Sequence, residues 1–339
     1  MDESYDVVIV GGSIAGLECA KNLVGSELKI LLLEKEKEIG KKVCSAGVTC
    51  QDLKYIDKKF LTFPLKKLII NYQNQKIFFP KKSGIISSIN REIFLNSRWI
   101  YLKKQRNVVL QNNVSVEKII SNHLLLTSDL RKIKFNYLVG ADGANSLVRK
   151  YLKIPSEKVS FAIQYCLPRK FSNFEIFFDD KIFGNGYAWI FPNNSFTSIG
   201  CGCSTKVLTP PQLTKNFSLW LKKRKIDVSQ LELQGGIFNA DFRKYRFGNV
   251  FLVGDAAGLT CGITGKGMFA AFSSAEQVAG EILGKKSSEN LIDNRLKQKN
   301  YLEKFQKYLE NPLTRKTIYK LAMKLCKKKK FEEIALRFL

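Results

Sequence analysis

Two clusters of residues in this sequence could hold a phosphorylated cofactor, and each follows an apolar run. The first is the turn GGSIAG, residues 11–16, which follows the β-prone run 5–10 and leads into a helical stretch holding Leu17, Cys19, Ala20 and Leu23. It has the spacing of a G-x-G-x-x-G phosphate-binding turn, with Ser13 at the second glycine position. Gly11 allows the tight turn, position 13 lets a pyrophosphate approach the backbone, and Gly16 lets helix and strand pack closely. N–H groups and the positive dipole end at the helix start then face the phosphates. Serine is small enough for its place, and its hydroxyl can donate to a phosphate oxygen. Glu34 closes the next apolar run, 28–33, where a carboxylate accepts both hydroxyls of an adenosine ribose.

The second cluster is GDAAG, residues 254–258, after the run 250–253. Asp255 is expected at a sheet edge, near the start of a helix over 265–283 whose apolar stripe is Met268, Phe269, Phe272, Ala275, Val278, Ala279 and Ile282. There it could accept from a ribityl hydroxyl, while the glycines let a flavin ring lie close to the backbone. That element separates FAD from a nicotinamide dinucleotide. A similar strand and turn, 135–139 then GADGA at 140–144, lies between them.

These residues need a scaffold. Strand, tight turn, helix and strand within about 30 residues form a βαβ unit, whose parallel sheet binds ligands at the carboxyl ends of its strands. Residues of about 60–90 and 155–245 read as short strands rich in Phe, Ile and Tyr, separated by Asn, Gly and Pro. The expected fold is therefore α/β. A doubly wound, Rossmann-like FAD-binding domain (1–60, 90–155 and 245–285) interleaves with an antiparallel-sheet substrate domain (61–89 and 156–244), and a basic helical C-terminal region (286–339) follows.

Composition narrows the options. A hydrophobic fraction of 45% over 339 residues supports a core and excludes a disordered or fibrous chain. With 56 Lys+Arg against 30 Asp+Glu the net charge is +26, which favours anionic partners and is equally what drift toward Lys, Ile, Asn and Phe produces. Eight cysteines without a C-x2-C pair, the nearest two being Cys201 and Cys203, and one histidine, His123, indicate neither a metal site nor a disulfide frame. His123 is assigned no role. The start, MDES, has no basic signal region, and no run of 18 apolar residues is present, so a cytoplasmic protein is expected, with peripheral attachment to the membrane's inner face open to it.

Residues 312–339 hold nine Lys or Arg and two Glu, a net +7. Ile318, Leu321, Ala322 and Leu325 share a helical face, and Phe331, Ile334, Ala335 and Phe338 resume one after the lysines 327–330. Such a helix either lies on an anionic membrane, at about 1 kcal/mol per basic residue, or packs on the body of the protein. No nucleic-acid motif is present, and none is expected as a partner.

Taken in order, these motifs resemble the flavoprotein superfamily that includes aromatic hydroxylases, and especially the geranylgeranyl reductase family, over residues of about 4–285. KKVCSAG (41–47) is similar to that family's Cys-containing segment, Asn90-Arg91 to its helix-initial arginine, and YLVGADGANS (137–146) with Arg149 to its second dinucleotide motif. YAWIFP (187–192) resembles its P-x-x-Y-x-W-x-F-P, which lines the substrate chamber; rings on alternate strand residues make one apolar wall. The sequence departs from the family at Gly184, Gly262 and Lys266, where Pro, Pro and Glu are usual, and Lys266 would favour an anionic reduced flavin or an anionic substrate.

The resemblance implies cofactor contacts at Gly11, Gly12, Ser13, Ile14, Ala15, Gly16, Glu34, Lys35, Arg91, Val114, Asp142, Gly143, Gly254, Asp255, Gly265, Gly267 and Met268. It implies substrate contacts at Tyr187, Trp189 and Phe191, and catalytic roles for Cys44 and Tyr187. The activity implied is FAD-dependent saturation of carbon–carbon double bonds in the isoprenoid chain of a lipid or prenyl diphosphate, with NADPH or a ferredoxin as reductant. The rivals are an FAD monooxygenase of an aromatic or polyene substrate, and a basic membrane- or nucleic-acid-binding protein that retains FAD without turnover.

Overall fold

The computed structural model describes residues 3–40, 43–65, 67–79, 85–168, 171–285 and 290–326. The chain opens with β1 (Glu3–Val10), α1 (Ile14–Asn22) and β2 (Ile30–Leu33). All four β2 residues are buried, as in a strand covered on both faces. Five short strands follow: β3 (Gly47–Thr49), β4 (Leu61–Pro64), β5 (Leu68–Tyr72), β6 (Gln75–Phe79) and β7 (Ile85–Ile89). Then come α2 (Arg91–Lys103), β8 (Val108–Gln111), β9 (Val116–Ser121), β10 (Leu124–Thr127), β11 (Lys132–Gly140) and α3 (Leu147–Tyr151). The second half holds β12 (Val159–Leu167), β13 (Phe174–Phe178), β14 (Tyr187–Pro192), β15 (Thr197–Ser204), α4 (Pro210–Lys223) and β16 (Gln234–Asn239). It ends with β17 (Arg246–Phe247), β18 (Val250–Leu252), α5 (Gly254–Ala257), α6 (Met268–Ile282), α7 (Leu291–Glu303), α8 (Gln306–Glu310) and α9 (Pro312–Cys326).

The first sheet runs β17-β18-β11-β1-β2-β8, parallel from β18 to β8, with the β9–β10 hairpin joined to β11. The run of small residues Ala15, Gly16, Cys19 and Ala20 lets α1 lie close to α6. The second sheet runs β16-β12-β15-β14-β13-β5-β6. It was expected to be antiparallel throughout, but β5 and β13 pair in parallel, Leu68 beside Phe174. The chain between them passes through the first sheet, and a connection that long is what a parallel pair needs. A third sheet, β3-β7-β4, bridges the other two, so residues 61–89 are shared between sheets.

Two boundaries differ from expectation. Asp255 does not end a strand but lies in the first turn of α5, which Gly258 terminates in the left-handed conformation at φ +77°. The next helix starts at Met268 rather than Gly265, because Gly265 is itself left-handed at φ +65°.

The C-terminal helices pack on the body. Arg315, Tyr319 and Met323, spaced four apart, are the most buried residues of α9, and Tyr319 meets Tyr72 edge-on at 5.5 Å. Arg315 donates to the carbonyl oxygens of Leu309 and Asp180 at 3.1 and 3.3 Å. The second apolar face expected beyond it, Phe331 to Phe338, and the lysines 327–330 lie outside the described residues.

Candidate active site

At the head of α1, Gly11 has φ +109°, and a Cβ there would come within 2.5 Å of the Ala141 carbonyl oxygen. A Cβ at Gly16 would run into the Gly11 carbonyl oxygen. Ser13 occupies the N-cap without a side-chain cap, and the first turn of α1 carries no acid, so the positive helix end is uncompensated by carboxylates of its own turn. Glu34 reaches across from the end of β2. Its Oε2 accepts from Gly12 N at 2.5 Å, its Oε1 from Glu36 N at 2.9 Å, and its carbonyl from Val114 N at 3.0 Å. Lys35 is largely exposed at the rim and pairs with Glu36 at 3.6 Å.

Arg91, first residue of α2, is buried against this turn. It donates to Ser13 Oγ at 2.7 Å and Gly40 O at 3.2 Å. The serine hydroxyl is thus held by the arginine. Burial lowers the guanidinium pKa, and Cys44, Asp255 and Glu34 oppose that shift, which places all three near Arg91. Cys44 is half-buried, and its Sγ accepts from Ala46 N at 3.4 Å. Ala46 is left-handed at φ +61°, a conformation that costs a non-glycine residue about 1–2 kcal/mol.

Beyond β11, Asp142 Oδ2 accepts from Leu147 N at 2.6 Å and Val148 N at 3.3 Å, while its Oδ1 is buried without a partner. Burial pushes this carboxyl above the usual range. Gly143, at φ +79°, turns the chain past it. Arg149 serves the fold instead: fully buried, it donates to the carbonyls of Pro155, Ala256 and Asp241. On α5, Asp255 accepts from the Thr260 hydroxyl, and a Cβ at Gly267 would lie 2.7 Å from that hydroxyl oxygen.

On β14 the three aromatics share a face, with ring centroids 6.2 Å apart for Tyr187–Trp189 and 6.5 Å for Trp189–Phe191. Trp189 Nε1 donates to Ser198 Oγ at 2.8 Å, which satisfies the indole. Tyr187 donates to Thr264 O at 2.6 Å, tying the wall to the loop between α5 and α6, and burial raises this phenol well above its ordinary pKa.

All of this borders one cavity of about 1390 Å³. Of the residues expected to contact cofactor or substrate or to act in catalysis, all but Gly16 and Gly254 line it. Helix α9 closes the far end with Ile318, Leu321, Ala322 and Leu325, the face that sequence reasoning could equally assign to a membrane, together with Tyr319 and Met323. Sequence reasoning missed Asp52, Thr260 and Arg295 as lining residues. Arg295 carried no signal, since it is one basic residue among many in its segment. Thr260, two residues past the GDAAG turn, was within reach of inference.

The residues fit an adenine–flavin dinucleotide: close-packed glycines and an uncapped helix start for phosphates, a carboxylate at each end, and an unpartnered Asp142 oxygen between. Among the described residues no cluster of His, Cys, Asp and Glu could hold a metal.

Comparison with known proteins agrees. The family described as pyridine nucleotide-disulphide oxidoreductase matches residues 5–170. The chain is 27% identical to digeranylgeranylglycerophospholipid reductase of Methanococcus vannielii, over 94% of this chain and 87% of that one. It is 22% identical to geranylgeranyl diphosphate reductase of Rhodobacter capsulatus, over 88% and 80%. A geranylgeranyl bacteriochlorophyll reductase-like protein of Thermoplasma acidophilum shares the fold at a TM-score of 0.74 and 20% identity, covering 95% of this chain and 88% of that one. The fold also extends to PqsL of Pseudomonas aeruginosa, described as a probable FAD-dependent monooxygenase, at a TM-score of 0.69 and 16% identity over 94% of this chain and 100% of that one. With the dinucleotide cradle, the second motif and the aromatic strand all in place, the chain is an FAD-dependent oxidoreductase that is similar over most of its length to proteins named geranylgeranyl reductases.

Proposed function

We propose that the protein saturates carbon–carbon double bonds in the isoprenoid chain of a lipid or prenyl diphosphate. The observation that carries this reading is the continuity of the cavity: it runs from the dinucleotide turn at Gly11, past Tyr187, Trp189 and Phe191, to the apolar residues of α9. A wall of that kind suits a long chain without polar handles. Bound FAD, once reduced, supplies the hydride, and NADPH or a reduced ferredoxin is the electron source. The protein's own part is to cradle the cofactor with residues 11–16, Glu34, Arg91, Asp142, Asp255 and the loop to Met268, to lay the chain along β14, and to keep water away.

The second carbon of each bond needs a proton. Cys44 and Tyr187 are the candidates; the Tyr187 proton is committed to the Thr264 carbonyl, which leaves the Cys44 thiol as the assigned donor. The domain division follows the same logic, with the first sheet as FAD-binding domain and the second as substrate domain.

No helix among the described residues is long and apolar enough to cross a membrane. Tyr301, Phe305, Tyr308, Leu313 and Leu321 expose large apolar side chains on α7–α9, and Tyr301, Phe305 and Leu321 also border the cavity. With lysines around them, they make this the face that meets an anionic membrane and admits lipid.

The test is to reduce the purified protein, incubate it with a geranylgeranyl lipid and weigh the product. A gain of two hydrogens per bond is expected; oxygen uptake matched to reductant consumption, with a hydroxylated product, would overturn the reading in favour of a monooxygenase.

A further inference from the structure

The apolar wall built on β14 has one polar corner. Tyr187 pairs with Gly202 on β15, and Gly202 pairs with Ala162 on β12, so these positions share the cavity face of the second sheet. Two residues further along the same strands, Ser160 and Ser204 stand opposite each other on that face. Both line the cavity, as does Asn185 in the turn between β13 and β14. Ser160 is 3% exposed, Ser204 5% and Asn185 8%.

The Asn185 amide is held in one orientation. Its Oδ1 accepts from the Cys203 thiol at 3.1 Å and from the Ser204 backbone N–H at 3.3 Å. A backbone N–H can meet only the oxygen of the amide, so Nδ2 is turned the other way, toward the cavity, and among the described residues it donates to nothing. The Ser160 hydroxyl has no hydrogen-bond partner among them either, and the Ser204 hydroxyl accepts from Lys206 N at 3.3 Å but has no acceptor for its own proton. Tyr319 of α9, which also lines the cavity, has a buried hydroxyl without a partner. Burial raises the pKa of this phenol, Arg315 opposes the rise and Cys203 adds to it, which places Tyr319 over the same corner. Elsewhere on this face the polar groups satisfy one another: Trp189 donates to Ser198, Ser198 to Gln164 at 2.9 Å, and Gln164 to Gln234 at 3.0 Å. Donors left unmet on a buried wall are costly unless an incoming acceptor joins them.

We propose that Asn185, Ser160 and Ser204 form a subsite for an uncharged oxygen acceptor, a hydroxyl, ether or carbonyl oxygen carried by the compound whose chain lies along β14. This rests on the reading of the cavity as a prenyl-chain site and deepens it by one functional group: the occupant is not a hydrocarbon where it passes the corner. The acceptor is uncharged because the corner itself offers neutral donors only. Arg315, the cation that acts on Tyr319 and Cys203, spends its guanidinium on the carbonyls of Leu309 and Asp180 and does not border the cavity. An anion stripped of water and met by neutral donors alone is far costlier than a neutral oxygen in the same place. Ala162 and Gly202 beside the serines are small, which leaves room for that oxygen to reach the hydroxyls.

The experiment measures, by titration calorimetry in a non-ionic detergent, the binding to FAD-loaded protein of geranylgeraniol, geranylgeranyl methyl ether, a geranylgeranylated benzoquinone and the tetraene hydrocarbon of the same length. The wild type is expected to bind the best oxygenated ligand on the order of tenfold or more tighter than the hydrocarbon, and whichever ligand that is identifies the kind of oxygen. Ser160→Ala breaks no hydrogen bond within the protein and is expected to lower the preference several-fold. Asn185→Asp keeps the oxygen that holds Ser204 and Cys203, replaces the amide donor with an acceptor, and is expected to abolish the preference. Both variants should keep their FAD and their affinity for the hydrocarbon; should Asn185→Asp not fold, Ser160→Ala decides alone. Equal affinity for oxygenated and plain ligands in the wild type overturns the subsite and leaves the prenyl-chain reading standing. A preference that survives undiminished in the variants puts the recognised oxygen elsewhere and also overturns the subsite. Failure of all the ligands to bind protein with full FAD content overturns both readings.

Discussion

Replacing Lys266 with methionine should make the ligand-free protein more stable. The lysine is largely enclosed by the cavity wall, and burial, assisted by Arg295, lowers its pKa from 10.5 to about 8. Each tenfold change in proton affinity is 1.36 kcal/mol, so the buried ammonium costs about 3 kcal/mol in the folded state. The sign follows from proton counting. Between pH 8 and 10.5 the unfolded chain binds more protons at this position than the folded one, so stability rises with pH across that window. The penalty is complete below pH 8 and gone above 10.5. Methionine fills similar space without charge, and for 339 residues a gain of about 3 kcal/mol corresponds to a rise of about 4 °C in Tm. The assay is thermal unfolding of both proteins in phosphate-free buffer at pH 7 and at pH 10.5 and above. The reasoning fails if the variant melts at or below the wild type at pH 7, or if its advantage is the same at both pH values.

Gly16→Ala should give protein that is insoluble or colourless, because the added methyl collides with the Gly11 backbone oxygen and shifts the head of α1. A yellow variant with full FAD content, read from its absorption spectrum, would show that the turn is more yielding than its packing implies. Tyr187→Phe should lose about 1 kcal/mol with the bond to Thr264 and keep turnover within a few fold. Cys44→Ala, by contrast, should retain FAD and lose on the order of a hundredfold in turnover. The reverse ranking of these two variants in product formation would exchange the roles assigned to the two side chains.

The cofactor end of the molecule was legible because its chemistry is local. A phosphate-binding turn needs glycine where a Cβ would strike backbone, and Gly11 and Gly16 declare that need through residue type and spacing alone. The aromatic wall was legible for a similar reason, since strand alternation puts Tyr187, Trp189 and Phe191 on one face. What the sequence concealed depends on partners distant in the chain. Ser13 reads from its place in the turn as a phosphate donor, but nothing in the local sequence shows that its oxygen also accepts from Arg91, 78 residues away, a bond that leaves the serine's own proton for donation. The stripe Ile318, Leu321, Ala322 and Leu325 has the period of a membrane helix and of a core helix alike; the residues that α9 buries are instead Arg315, Tyr319 and Met323, while Leu321 borders the cavity and stays 53% exposed. The early start expected for α6 overlooked that a helical apolar stripe cannot extend back through a left-handed Gly265.

The parallel pairing of β5 with β13 has a consequence for how the protein is made. The hairpin β5–β6 leaves the ribosome early, yet its lateral neighbour is the segment that begins at Phe174. In the first sheet β1 likewise waits for β11, with Tyr5 set beside Phe135. Each layer is therefore stitched from early and late stretches of polypeptide, and neither closes before more than half the chain has emerged. Contacts so far apart in sequence make for slow acquisition of structure. An N-terminal fragment that stops short of β13 would carry unpaired strand edges of the kind that draw other chains together.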